Sequence, residues 1–122
     1  MNMDHWNSSA RLFKLLGHPA RLAILTILRN GEECVCHMEA VLGYRQAYIS
    51  QHLMTLREAG VVQDRRDGAN VFYRVVQPAV FSVIEASLKL EGVQLPRASK
   101  AAVPDCPCPK CQPSAEPVLA AH

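Results

Sequence analysis

The chain of 122 residues lacks three things that would have settled its class early. It has no apolar run approaching the ~20 residues of a membrane span, so no membrane partner is expected. Its opening stretch, "MNMDHWNSSARLFKLLGHPAR", is polar and then amphipathic, without the uninterrupted apolar core of a secretory signal; a cytoplasmic, reducing location is expected. Nor does it show a nucleophile–base pair, a phosphate-cradling loop or paired carboxylates, so the sequence reads as a non-enzyme. Charge of one sign is also scarce. The net charge is +2, too little to announce nucleic-acid binding by itself.

What the sequence does hold is unevenly placed. Residues 1–31 carry four basic residues against one acidic, and residues 45–74 carry five against three. Glu32, Glu33 and Glu39 lie between them, around the segment "ECVCH". The cationic segments suit phosphate, and the acidic one does not repel a cation. Five cysteines is an odd number, which fits poorly with a pure disulfide framework, and closely spaced cysteines in a reducing compartment more often bind metal or act in redox chemistry. Two of them are Cys34 and Cys36; the other three, Cys106, Cys108 and Cys111, form "CPCPKC".

Periodicity predicts a mainly α protein with one β-hairpin. In "SSARLFKLLG" apolar residues recur at helical spacing behind a possible cap at Ser8 or Ser9. "HPARLAILTILRNG" is a second helix, with Pro19 in its first turn, and His18 before it reads as a turn or capping residue. A short helix from about Cys34 to Leu42 stops at Gly43. The next runs from about Arg45 to Glu58, with Ile49, Leu53 and Leu56 on its inner face. Two β-rich runs then flank "RRDGAN", where Asp67-Gly68 is a hairpin signal. A last helix opens at Pro78 and is apolar over so wide an arc that it calls for a second surface, which in so small a chain suggests another subunit. Trp6 and Phe13 read as core or dimer contacts. Six of the eight prolines fall in residues 93–122, a segment without amphipathic period. The expected division is therefore a domain over 1–92 and an extended C-terminal tail over 93–122.

Helix, helix, helix, helix, hairpin, helix contains a helix-turn-helix followed by a wing. That arrangement places its second helix in the major groove and the hairpin tip at a phosphate strand or the minor groove. Arg45, Gln46, Tyr48, Ser50 and Gln51 lie near the exposed start of that helix, with Arg65, Arg66 and Asn70 at the wing; all eight are candidate DNA contacts. A solvated helix face and an ordinary hairpin would give the same spacing. His52 lies among core-facing positions, where it would pack or touch the DNA backbone.

The segments "LGHPARLAILTIL", "CVC" and "ISQHLMTLREAGVVQDRRDGANVFYRV" together resemble the ArsR/SmtB family of winged-helix metal-sensing repressors, over about residues 10–92. The resemblance implies a homodimer built from the first and last helices, bound to palindromic operator DNA and released by a metal or metalloid. "ECVCH" is similar to the thiol motif of the arsenic- and cadmium-sensing members. It departs from the best-known arsenic sensors, which have a third cysteine three residues on, where this chain has Glu39. The last-helix site of the zinc-sensing branch, built on Asp and His, has no counterpart in "AVFSVIEASLKLEG".

Residues i and i+2 of a regular helix point about 200° apart and cannot grip one ion, so a joint Cys34–Cys36 site requires a distorted first turn. Two thiolates are also too few: As(III) and Sb(III) suit three sulfurs, and Cd, Pb or Zn suit further ligands. His37 or the tail cysteines could complete the set, or the tail could be a separate metal-scavenging segment. A thiol redox or reactive-sulfur signal, rather than metal binding, is the alternative; a Cys34–Cys36 disulfide would close a very small strained ring, so oxidation would more naturally involve the tail.

Overall fold

The computed structural model describes residues 3–94. Five helices surround a small sheet in the order α1 (Met3–Leu16), α2 (Pro19–Ile27) with a 3-10 turn (Leu28–Asn30), β1 (Glu33–Cys34), α3 (Val35–Leu42), α4 (Gln46–Glu58), β2 (Val62–Asp67), β3 (Asn70–Val75) and α5 (Ala79–Leu90). This is a winged helix-turn-helix, mainly α with a β-hairpin wing, as the spacing predicts.

The core follows from the apolar periods. Ile24 and Leu25 of α2, Met38 of α3, and Ile49, Leu53 and Leu56 of α4 are fully buried against one another. Each is worth about 1.5–3 kcal/mol of hydrophobic burial. α3 and α4 are joined through Gly43, whose φ of 76° is the left-handed conformation that ends α3 and turns the chain into α4. In the wing, Asp67 pairs with Asn70, leaving a two-residue loop whose first member, Gly68, has φ 65°. That is the hairpin position where glycine avoids a Cβ clash.

Three expectations need correction. The first helix begins at Met3, so Ser8 and Ser9 lie within it rather than capping it; Asp4 sits in its first turn, where a carboxylate favours the helix dipole. The wing is not a lone hairpin, because β1 joins it to make a three-stranded antiparallel sheet in the order β1-β3-β2. The third helix starts at Val35, with Cys34 outside it as the N-cap. Trp6 and Phe13, expected in a core or an interface, are more than half exposed on the single chain. α5 turns Val80 and Ile84 inward and leaves Leu90 almost fully exposed. No helix among the described residues is long and apolar enough to cross a membrane. The tail cysteines Cys106, Cys108 and Cys111, like most of the expected tail, lie outside the described residues.

Candidate DNA-reading surface and thiol site

α4 has one face committed to the core, so its first turns present the opposite face. Arg45 is the N-cap, and Gln46 and Gln51 are exposed while Ser50 is half-buried. Tyr48 is 38% exposed, but its ring stands edge-on to Tyr44 at 5.0 Å and to His52 at 4.6 Å between centroids. It is a packed ring with one open side, unlike the glutamines beside it.

His52 is buried as its position predicts, but it holds the helix in place from within. The Nε of Arg21 donates to its Nδ1 at 3.1 Å, Arg21 also donates to the Leu15 carbonyl, and the His18 ring lies 4.4 Å away. Burial, followed by the neighbouring His18 and Arg21, pushes the His52 pKa below its usual value. His18 caps α2 as expected, its Nδ1 accepting from the Ala20 amide.

The two wing arginines differ. Arg66 is exposed and has no ion pair among the described residues. Arg65 is held: its Nε and Nη2 donate to the two carboxylate oxygens of Glu32 at 3.0 and 2.6 Å, and its guanidinium lies 4.9 Å from the Phe72 ring centroid. The Glu32 hydrogen bonds raise the Arg65 pKa. An arginine so engaged is less available to phosphate than its neighbour. Glu32 precedes Arg65 by 33 positions, so no local pattern signals the pair. The local acidic run gave no sign of which glutamate would be spent on the wing.

Cys34 and Cys36 do come together. Cys34 is extended (φ −88°, ψ 161°), outside the helix that begins at the next residue, so the 200° separation of helical i and i+2 positions does not apply. Its Sγ accepts the His37 amide at 3.3 Å, supplying the helix cap that no Ser, Thr, Asp or Asn provides, and stands 2.6 Å from Sγ of Cys36. The first turn is therefore capped, not frayed. Cys34 is 1% exposed and Cys36 half-buried. The amides at a helix start favour thiolate, the form that ligates metal. His37 Nδ1 lies 3.7 Å from the Glu33 carboxylate. Among the described residues no group of three or more His, Cys, Asp or Glu is placed to hold an ion.

A cleft of about 250 Å³ joins the two halves of the site. Cys34 and Cys36 line it together with Gln46 and Ser50 of α4 and Arg66 and Asn70 of the wing. The thiols thus share one cleft with the start of α4 and the wing.

Residues 18–64 match the family described as bacterial regulatory protein, arsR family. The chain is 46% identical over 77 residues to a biofilm growth-associated repressor of Agrobacterium fabrum, covering 63% of this chain and 66% of that protein. It is 44% identical over 79 residues to the arsenic resistance transcriptional regulator ArsR1 of Pseudomonas putida, covering 64% and 61%. It therefore spans somewhat less than two thirds of either relative. The fold superposes on the crystal structure of the AntR antimony-specific transcriptional repressor with a TM-score of 0.68 and 29% identity, covering 75% of this chain and 83% of that one.

Proposed function

Because this chain belongs to the bacterial ArsR family of DNA-binding transcriptional regulators, we propose that it is a cytoplasmic repressor that binds operator DNA as a homodimer and lets go when As(III) or Sb(III) binds its thiolates. One observation carries this reading: Cys34 and Cys36 open onto the cleft lined by Gln46, Ser50, Arg66 and Asn70. A ligand captured by the sulfurs is then felt directly by the elements that meet DNA. Gln46, Ser50 and Gln51 read base edges; Arg45, Arg66 and Asn70 hold phosphates. The packed Tyr48 ring contributes a surface at its open side.

Residues 1–92 form the DNA-binding and dimerisation unit and 93–122 a tail. The dimer uses the apolar surface that α1 and α5 leave open, marked by Trp6, Phe13 and Leu90. Cys34 and Cys36 supply two sulfurs, and one of Cys106, Cys108 and Cys111 supplies the third that a trivalent metalloid prefers. The names of the arsenic and antimony regulators above agree with that choice. Cd, Pb or Zn would occupy the same thiolates with further ligands. A thiol redox or reactive-sulfur sensor is the second reading; a Cys34–Cys36 disulfide would close a very small strained ring, so oxidation would draw on Cys106, Cys108 or Cys111.

The test uses reduced full-length protein in a thiol-free reductant, bound to a duplex selected by the protein from a random-sequence pool. Release is measured against As(III), Sb(III), Cd, Pb, Zn and, without reductant, peroxide. Release at the lowest concentrations by As(III) and Sb(III) is expected. Release by peroxide alone would replace the metalloid reading with the oxidation reading.

A further inference from the structure

Cys34 is a strand residue as well as a thiol, and that places it in register with the wing. It pairs with Phe72 of β3, and Phe72 pairs in turn with Arg65 of β2, so Cys34, Phe72 and Arg65 form one row across the sheet. Two residues upstream, Glu32 reaches over β3 and grips Arg65 through both carboxylate oxygens, while the Arg65 guanidinium covers the Phe72 ring. The segment 32–34 therefore holds both wing strands, β3 by the backbone of β1 and β2 by the side chain of Glu32.

Ligation of one ion by both thiols, at about 2.3 Å per bond, fixes the sulfurs roughly 3.5–3.8 Å apart for angles between about 100° and tetrahedral, and so ties the Cys34 backbone to that of Cys36. Cys36 is anchored in the first turn of α3, which packs on α4, whereas Cys34 belongs to a two-residue strand that lies between the start of α3, which it caps, and the wing. Any displacement on binding falls on the lighter element.

We infer that β1 is the transmission element from the thiol pair to the wing, with Glu32, Phe72 and Arg65 as positioning residues that set the wing's angle to α4. The inference deepens the proposed function and rests on thiol sensing being correct. Arg65 is on this account a structural tie and not a phosphate contact. When the two thiols take up an ion, β1 shifts and carries the hairpin with it through the backbone pairing and the Glu32–Arg65 grip. Arg66 and Asn70 then lose their alignment with Gln46 and Ser50 across the cleft.

The measurement separates three quantities in the full-length protein: DNA affinity, As(III) affinity from the thiolate–arsenic ultraviolet absorbance, and the factor by which saturating As(III) weakens DNA binding. For the unaltered protein that factor is expected within the roughly 5- to 150-fold range of allosteric couplings. Glu32→Gln should keep As(III) affinity and arsenic-free DNA affinity within about threefold, yet reduce the coupling factor by about fivefold or more, because a rim contact is lost but not a ligand. The exchanged pair E32R/R65E should recover part of the coupling. The inference is overturned if Glu32→Gln leaves coupling unchanged. It is equally overturned if Arg65→Gln lowers DNA affinity and the salt slope by about one unit with coupling intact, the signature of a lost phosphate contact. A wild-type protein whose DNA affinity ignores As(III) overturns the sensing reading itself, a distinct outcome visible before any variant is made.

Discussion

Replacing the two helix-start cysteines one at a time should produce unequal structural effects and the same functional one. Cys34 is 1% exposed and caps α3 by accepting the His37 amide, while Cys36 is half-buried one turn position further on. In Cys34→Ser a hydroxyl enters a buried site, which costs about 1–3 kcal/mol where its hydrogen bonding is incomplete. Serine is a good N-cap, and this returns about 1 kcal/mol. The net loss of about 1 kcal/mol corresponds to a Tm about 4–8 °C lower for a folded unit of this size. Cys36→Ser, at a partly exposed position, should stay within about 0.5 kcal/mol. Thermal melts at one fixed protein concentration, with and without As(III), read both effects. Ligand at 100 times its Kd should stabilise the unaltered protein by about 2.7 kcal/mol, and neither variant should gain more than a small part of that. Equal destabilisation by the two substitutions would refute the placement of Cys34 as a buried cap. Full As(III) stabilisation of either variant would refute the shared site.

Gly43→Ala should cost about 1–2 kcal/mol, because its φ is 76° and no atom lies within 4 Å of an added Cβ, so the penalty is the left-handed backbone alone; urea melts should show Gly43→Asn costing less. His52 carries a pH dependence: its folded pKa is below the usual 6.5, so the unfolded chain takes up a proton there that the folded chain refuses. Its contribution to stability is complete above pH 6.5 and lost as pH falls below it, and denaturant melts at pH 7.5 and 5.5 should show a smaller loss in His52→Gln. At the DNA surface, Ser50→Ala or Gln51→Ala should relax base preference by about 1–3 kcal/mol at one position of the site. Arg66→Ala should weaken all sequences alike and flatten the salt dependence, which binding to a randomised duplex pool at two salt concentrations distinguishes. Truncation after Leu95 should raise the As(III) concentration needed for release if the tail donates a sulfur; unchanged release would remove Cys106, Cys108 and Cys111 from the site.

The helices and the hairpin were legible because each carries its own local signal. Ile49, Leu53 and Leu56 mark a helix face, Gly43 a stop, and Asp67-Gly68 a turn, and all of these depend on residues within a few positions of one another. β1 was not legible for the opposite reason. Two residues have no alternation to display, and Glu33 and Cys34 become a strand only through partners at Tyr73 and Phe72. That one missing element shifted the helix boundary by a residue and changed how the thiols meet. Sulfurs at i and i+2 of a regular helix diverge, but Cys34 is extended and so escapes that geometry. Arg65 reads as a candidate DNA contact from its place in the wing; its pairing with Glu32 joins positions 33 apart and has no local signal. Ser8 and Ser9 are good caps in isolation, yet nothing between Asp4 and Ser9 breaks the helix, so it runs on towards Met3.

The central claim is that Cys34 and Cys36 govern release of DNA held by α4 and the wing. Fluorescence anisotropy of a selected operator duplex tests it most directly, titrated with reduced full-length protein or with Cys36→Ser, each with and without saturating As(III). The account predicts that both proteins bind the duplex equally well without As(III), that As(III) weakens the unaltered protein about 5- to 150-fold, and that Cys36→Ser is unmoved. Release of Cys36→Ser by the same As(III) concentration would contradict it.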